Sequence, residues 1–413
     1  MKSSKQLLGP FTQILTMNHL PESGAILDEQ LEVISNGGIV VEDGMIAEIG
    51  EFGALKKHFD LKGSIIREMD EDLVLIPGLI DSHTHICYAG TRFSDYAKRL
   101  TGMSYLEIAS QGGGIMETVR QTRKAPLSDL DHKLKARCDF LLKQGVTSCE
   151  VKSGYGLTVE DELKMLRAIQ SVHEQHELDL IATALPAHIC PPEFEDPMDY
   201  IRHMISELLP EVRRQNLSHR ADIYIDHGAF SIEHGENYLN EAKNLGYSVT
   251  VHADQFSLGG SRLAASFQAV SADHLETSGE EEAVLLAKNN VIGTVLPGSS
   301  LGLGISFAPA RQLIDKGMTV AIASDWNPGS APMGDLLMQA CVLGIYEKLS
   351  IAEILAGITI HAARALECTD RGLLEKGKLA DLVAFPCSDY REIFYRQGAL
   401  KPVYVWKKGR QVK

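Results

Sequence analysis

From Leu73 onward, short β-branched or apolar runs alternate with stretches of helical periodicity. The runs predict strands over Leu73 to His85, Val146 to Lys152, Leu180 to His188, Asp222 to Phe230, Ser248 to Asp254, Ala269 to His274, Val291 to Leu296, and Thr319 to Asp325. Between them, Asp129 to Gln144 reads as a helix stopped by Gly145, a left-handed cap position that suits glycine. Glu160 to His176 places Leu163, Leu166, Ile169 and Val172 on one helical face. Strand–helix alternation of this kind implies parallel strands. Repeated over roughly 250 residues, it predicts a TIM-type (β/α)8 barrel, an α/β fold.

The flanks follow a different pattern. Ile39-Val40-Val41 and Met45-Ile46 are separated by Asp43-Gly44, a strong hairpin signal. Ser350-Ile351-Ala352-Glu353 is a capping box that opens a helix expected to run to about Leu366. Beyond it, Ala380 to Phe385 and Pro402 to Trp406 again read as strands. A β unit at each end predicts one small β-sandwich beside the barrel. The expected division is residues 1–72 and 371–413 for the small domain and 73–370 for the barrel, in keeping with a chain of 413 residues.

Composition narrows the partners. A formal net charge of −15 argues against a nucleic-acid or anionic-membrane surface. No stretch approaches the ~18 apolar residues of a membrane span, and the N-terminus lacks the core of a signal peptide. Seven scattered cysteines without a CxxC pair suit a reduced compartment, so a cytoplasmic protein acting on a small molecule is expected.

The candidate chemistry lies at the ends of the predicted strands, where barrels of this kind carry their sites. His83 and His85 sit at i and i+2, on one face of an extended segment. Lys152, Tyr155, His188, His252, Asp254, His274 and Asp325 occupy corresponding positions on later strands. Five histidines and an aspartate so placed point to a metal of the zinc class. Three imidazoles and one carboxylate fill a mononuclear site and leave room for water, whose pKa the ion lowers toward ~7. His274 and Asp325 are the candidates for proton transfer. Lys152 reads as an ordinary cation, with a bridging role between two ions as the alternative. Cys87 reads as packing, and the other histidines, His361 among them, as surface or satisfied core.

The stretches DSHTHICYAGTR, QGGGIMETVRQTR, EVKSGYGL, HADQF, SADHLE, LPGSS and SDWNPGSAP together resemble the amidohydrolase superfamily and, within it, the imidazolonepropionase family. The resemblance covers nearly the whole chain. It implies hydrolysis of 4-imidazolone-5-propanoate to N-formimidoyl-L-glutamate, with one zinc or iron ion. It assigns His83, His85, His252 and Asp325 as metal ligands and His274 as the group beside the scissile carbonyl. Arg92, Tyr155, His188, Asn327, Gly329 and Ser330 match substrate contacts. Gln255 stands where some members carry glutamate; an amide cannot act as a base, so it is assigned to substrate binding. Trp326 replaces a phenylalanine, a change of packing. Relatives of this kind commonly form homodimers. The competing readings are another cyclic-amide hydrolase or aminohydrolase of the same superfamily, and a metal-free scaffold that would have lost its ligands.

Overall fold

The computed structural model describes residues 5–59, 64–103, 107–108 and 111–413. The expected N-terminal strands therefore lie within the description except for residues 1–4 and 60–63. Eight parallel strands follow one another around a barrel: β1 (Leu79–Asp81), β2 (Val146–Lys152), β3 (Asp179–Ala187), β4 (Arg220–Ile225), β5 (Ser248–Ala253), β6 (Ser271–His274), β7 (Ile292–Val295) and β8 (Val320–Ile322). Their order in the sheet is their order in the chain, as strand–helix repeats require. The predicted helices form. One spans Leu127–Lys143 and ends at Gly145 with φ +93°; the other spans Val159–Gln175 and buries Leu163, Leu166, Ile169 and Val172.

Barrel closure happens just beyond the ends of β1 and β8. The Asp325 N–H donates to the His83 carbonyl at 3.0 Å, and the His85 N–H donates to the Trp326 carbonyl at 3.0 Å. The Asp81 carboxylate adds a lock by accepting the Ser324 N–H at 2.9 Å. Residues assigned to the metal site are thus part of the seam that closes the barrel.

The second sheet joins both ends of the chain. It runs Arg410–Gln411, Tyr404–Lys407, Leu382–Phe385, Val74–Pro77, Lys5–Leu15, Val33–Glu42 and Met45–Glu51, with Ser64–Glu68 paired alongside Lys5–Leu15. All eight strands are hydrogen-bonded into one sheet. The predicted hairpin is present, with Asp43 at φ +51° and Gly44 at φ +84°, the left-handed pair that a two-residue turn needs. Trp406 packs edge-on against Phe11, with ring centroids 6.3 Å apart, so the two termini share one core. Trp406→Ala should cost ~3–5 kcal/mol, read as a lower urea midpoint with an unchanged slope.

Two expectations change. The run Leu73 to His85 is not one barrel strand. Val74–Pro77 pairs with Lys5–Leu15 and Leu382–Phe385 in the terminal sheet, and β1 starts only at Leu79. Between them a Cβ on Gly78 would stand 2.2 Å from Thr147 Oγ1, so glycine lets the chain cross from one sheet to the other. Both halves are buried and apolar, and periodicity alone does not say which sheet such a run joins. The helix opened by Ser350 also breaks, into Ile351–Gly357 and Ile360–Ala365. Gly357 lies close on β8, and the Ile358 carbonyl accepts the Ile80 N–H at 2.9 Å.

Candidate active site

The strand ends bring the expected donors together. His85 Nε2 lies 3.3 Å from His83 Nε2 and 3.3 Å from His252 Nε2. Asp325 Oδ1 lies 3.7 Å from His83 Nε2 and 3.6 Å from His85 Nε2. The register of β5 explains the arrival of His252: it stands opposite Tyr224 on β4 and Asp273 on β6. Donor atoms of His83, His85 and Asp325 lie within 4.8 Å of one another, as do those of His85, His188 and His252, and of His83, His252 and His274. His83, His85, His252, His274 and Asp325 are buried, and His188 is partly buried.

The rings are prepared as donors. His83 Nδ1 bonds Asp273 Oδ2 at 2.7 Å, and His252 Nδ1 lies 2.8 Å from Asp222 Oδ2. A carboxylate behind each ring favours the tautomer whose Nε2 lone pair faces the site. Burial, reinforced by Lys152 near His83 and by His188 near His85, holds both imidazoles neutral, well below their ordinary pKa. Burial also pushes His188 down to about 3, with neighbouring His252 adding to it; its Nδ1 donates to the Gly154 carbonyl at 3.1 Å. His274 differs. Burial opposes its charge, but Glu276, 3.4 Å from Nδ1, together with Asp325 and Asp273 outweighs burial and raises its pKa. Burial raises the Asp325 carboxyl against the pull of His274 and His252, making it a readier proton acceptor.

Lys152 lies beneath this set with no exposed surface. Its Nζ is 2.7 Å from Asp222 Oδ2, 2.9 Å from Glu150 Oε2 and 3.4 Å from Asp273 Oδ2. Burial disfavours the ammonium, yet these three carboxylates hold its pKa above the usual lysine range. Lys152 is therefore a cation in a carboxylate cage, in line with the simpler of its two readings.

The residues expected to contact substrate lie mostly on loops. The Tyr155 ring centroid is 5.9 Å from that of His85 and 5.5 Å from that of His188, which stacks on His85 at 5.0 Å. Gln255 accepts from the Tyr224 hydroxyl at 2.7 Å and donates to Ser299 Oγ at 3.2 Å, so its amide has a fixed orientation. Asn327 turns inward: Nδ2 donates to the Asp325 carbonyl and Ser330 Oγ, while Oδ1 accepts the N–H groups of Gly329 and Ser330. Its side chain shapes the 327–330 loop. Arg92 lies against that loop. A Cβ on Gly329 would stand 2.3 Å from Arg92 Nη1, and Arg92 Nε bonds Asp95 Oδ2 at 2.8 Å. Asp254 has a framework role, accepting the N–H groups of Gly259 and Ser261 and the Ser278 hydroxyl. Burial pushes the Cys87 thiol up to about 12, which suits packing rather than nucleophilic attack.

Sequence reasoning passed over Glu276, Tyr224, Ser299, Asp222, Asp273 and Glu150. A signal was present for some of them. Glu150 and Lys152 alternate on β2, and Asp222 and Tyr224 alternate on β4, each pair sharing one strand face. Polar residues alternating within a buried strand mark the barrel interior.

His361 lies outside the site, as expected, with Nδ1 3.0 Å from the Val320 carbonyl. Burial lowers its pKa to about 4. A folded value below the unfolded ~6.5 means that its stabilisation is present above pH 6.5 and is lost as pH falls toward 4. The stability difference between wild type and His361→Gln should therefore change by up to about 3 kcal/mol between pH 7.5 and pH 4, in the direction that disfavours wild type in acid. Urea titrations at the two pH values check this.

Comparison with known proteins fits the geometry. Residues 74–412 match the amidohydrolase family. An imidazolonepropionase of Bdellovibrio bacteriovorus is 37% identical over 94% of this chain and 91% of its own length. One from Alkaliphilus oremlandii is 36% identical, covering 97% and 96% respectively. One from Geobacillus kaustophilus is 39% identical, covering 92% and 91%. Among solved structures, a zinc-bound adenosine deaminase of Xanthomonas campestris aligns with a TM-score of 0.73 at 18% identity, over 99% of this chain and 92% of the other. A zinc complex of atrazine chlorohydrolase from Arthrobacter aurescens gives 0.72 at 16% identity, over 98% and 95%. These distant structures share the fold, and the near relatives share the whole length. The chain belongs to the amidohydrolase family, on the branch that holds the imidazolonepropionases.

Proposed function

We propose that the protein hydrolyses 4-imidazolone-5-propanoate to N-formimidoyl-L-glutamate, the ring-opening step of histidine degradation. The convergence of His83, His85, His252 and Asp325 carries this reading, in a chain whose full-length relatives are imidazolonepropionases. Three imidazoles whose Nε2 atoms converge beside one carboxylate suit one zinc or iron ion, and His83, His85, His252 and Asp325 would hold it. When bound, such an ion activates water near neutral pH and polarises the ring carbonyl.

The chain's own residues account for the rest. Hydrolysis adds a water oxygen to the ring carbonyl carbon and breaks its bond to nitrogen. Asp325 Oδ accepts the proton that the water loses. His274, held by Glu276 with a raised pKa, donates toward the carbonyl oxygen and supplies the proton that the departing nitrogen takes. Tyr155 and His188 line the ring's position, and Gln255, fixed by Tyr224 and Ser299, offers an amide to the substrate. Arg92 pairs with the propanoate carboxylate, and the loop shaped by Asn327, with Gly329 and Ser330, closes around the tail.

The proposal extends to a cytoplasmic enzyme with a small-molecule substrate, acting as a homodimer without nucleic-acid or membrane partners. Among the described residues, no helix is long and apolar enough to cross a membrane. It also divides the chain into a barrel up to residue 370 and a small β unit from the two ends. We place the first boundary at Gly78, because Val74–Pro77 pairs with the terminal strands.

Product analysis tests the activity. Freshly prepared imidazolonepropanoate should yield N-formimidoylglutamate in equal amount, with no ammonia. Release of ammonia would favour an aminohydrolase, and an unopened ring would defeat the proposal.

A further inference from the structure

The cage around Lys152 is more than a buried ion pair, because its carboxylates have second partners. The Asp222 Oδ2 atom that meets Lys152 Nζ at 2.7 Å is also 2.8 Å from His252 Nδ1. The Asp273 Oδ2 atom 3.4 Å from Nζ is 2.7 Å from His83 Nδ1. Lys152 therefore bridges the two carboxylates that stand behind two proposed ligands. The three strands involved, β2, β4 and β6, share no direct pairing: β3 lies between the first two and β5 between the last two. Side chains projecting into the barrel make the connection.

Charge balance also calls for a cation here. Glu150, Asp222 and Asp273 are all buried, and the nearby Arg220 Nε lies 3.5 Å from Glu150 Oε1, away from the two aspartates in this pairing. Without Nζ, two aspartates face each other across a low-dielectric space and are driven apart. Each would then leave the ring it orients. A carbamate on Lys152 would instead add negative charge among three carboxylates, which the same electrostatics oppose.

We propose that Lys152 is a positioning residue for the metal centre: its ammonium holds Asp222 Oδ2 and Asp273 Oδ2 against His252 Nδ1 and His83 Nδ1, and so aims both Nε2 atoms at the ion. The inference rests on the ligand assignment above. Lys152 touches neither substrate nor ion, so its effect is on affinity for the metal.

The test uses the full-length chain, zinc alone and chelator competition. Lys152→Met combined with Glu150→Gln removes one positive and one negative charge and keeps similar volumes. The pair should fold, as judged by circular dichroism of the metal-free protein. It should bind zinc about 10- to 100-fold more weakly than wild type, the scale typical of lost outer-shell partners. Adding Asp273→Asn to the pair should cost less affinity than Asp273→Asn costs in wild type, because the lysine acts through that aspartate. A merely structural lysine gives additive effects. Zinc affinity within about threefold of wild type, or full additivity, would overturn the proposal. If the double variant fails to fold, wild type equilibrated with ¹³C-bicarbonate still decides: no carbamate carbon is expected, and one on Lys152 would overturn the proposal. Wild type titrated in parallel separates the two levels. If it binds no zinc tightly, the ligand assignment fails; if it does while the double variant matches it, only the lysine's role fails.

Discussion

His252→Ala protein should lose metal and activity together, with most of the bound ion gone and kcat/KM lower by at least ~10³-fold, roughly 4 kcal/mol of transition-state stabilisation. His252 Nε2 is 3.3 Å from His85 Nε2, so its loss opens the donor set on the β5 side. It also strips Asp222 of its ring partner and leaves that carboxylate to Lys152 and the backbone N–H of residue 252. Alanine cannot recruit a substitute donor, because the nearest imidazoles, His83, His85 and His274, have positions of their own at the site. His58→Ala is the control: that ring is largely exposed beside Glu48, and metal content should not change. Metal analysis of purified proteins, paired with rates, checks both statements. Full activity in a metal-stripped His252→Ala protein would end the ligand assignment.

Arg92→Ala should raise KM by roughly 10- to 100-fold, the range of one charge-assisted pair. If the tail also positions the ring, kcat falls as well. The net charge of −15 does not oppose this, since at physiological salt the long-range field is screened within ~8 Å. Recognition is local. Asp95 holds Arg92 Nε and also accepts the Gly114 N–H at 2.9 Å, which pins the guanidinium with its Nη end against Gly329. Arg92→Lys should recover only part of the loss, because an ammonium cannot form the planar fork and cannot keep the Asp95 bond in the same geometry. A neutral analogue lacking the carboxylate should react about equally with wild type and Arg92→Ala. If the substitution harms that analogue as severely as the natural acid, Arg92 serves the loop and the carboxylate site lies elsewhere.

Much of the architecture was legible because the signals were local. Apolar runs, six of them ending in His, Asp or Lys, located the eight barrel strands in their true order, and Asp43-Gly44 marked the hairpin. The less legible parts depend on distant partners. Val74–Pro77 joins the terminal sheet because Leu382–Phe385 arrives from some three hundred residues away to pair with it. The break after Gly357 reflects close packing on β8 and a carbonyl recruited by Ile80. Within the site, HxH announced itself by spacing, whereas Asp222, Asp273 and Glu276 were masked as single acidic residues. Their importance appears only when β4 and β6 bring them behind His252, His83 and His274. Asn327 shows the same limit. The resemblance matched it to the loop that holds substrate, but the hydrogen bonds by which its side chain shapes that loop were not legible.

The most direct measurement of the central claim follows ring opening of fresh imidazolonepropanoate by the purified chain before metal removal, after it, and after stoichiometric zinc or iron is restored. The donor set described above predicts loss of ring opening on stripping and recovery at about one ion per chain, with N-formimidoylglutamate as product. Ring opening that persists undiminished in fully metal-free protein would contradict it.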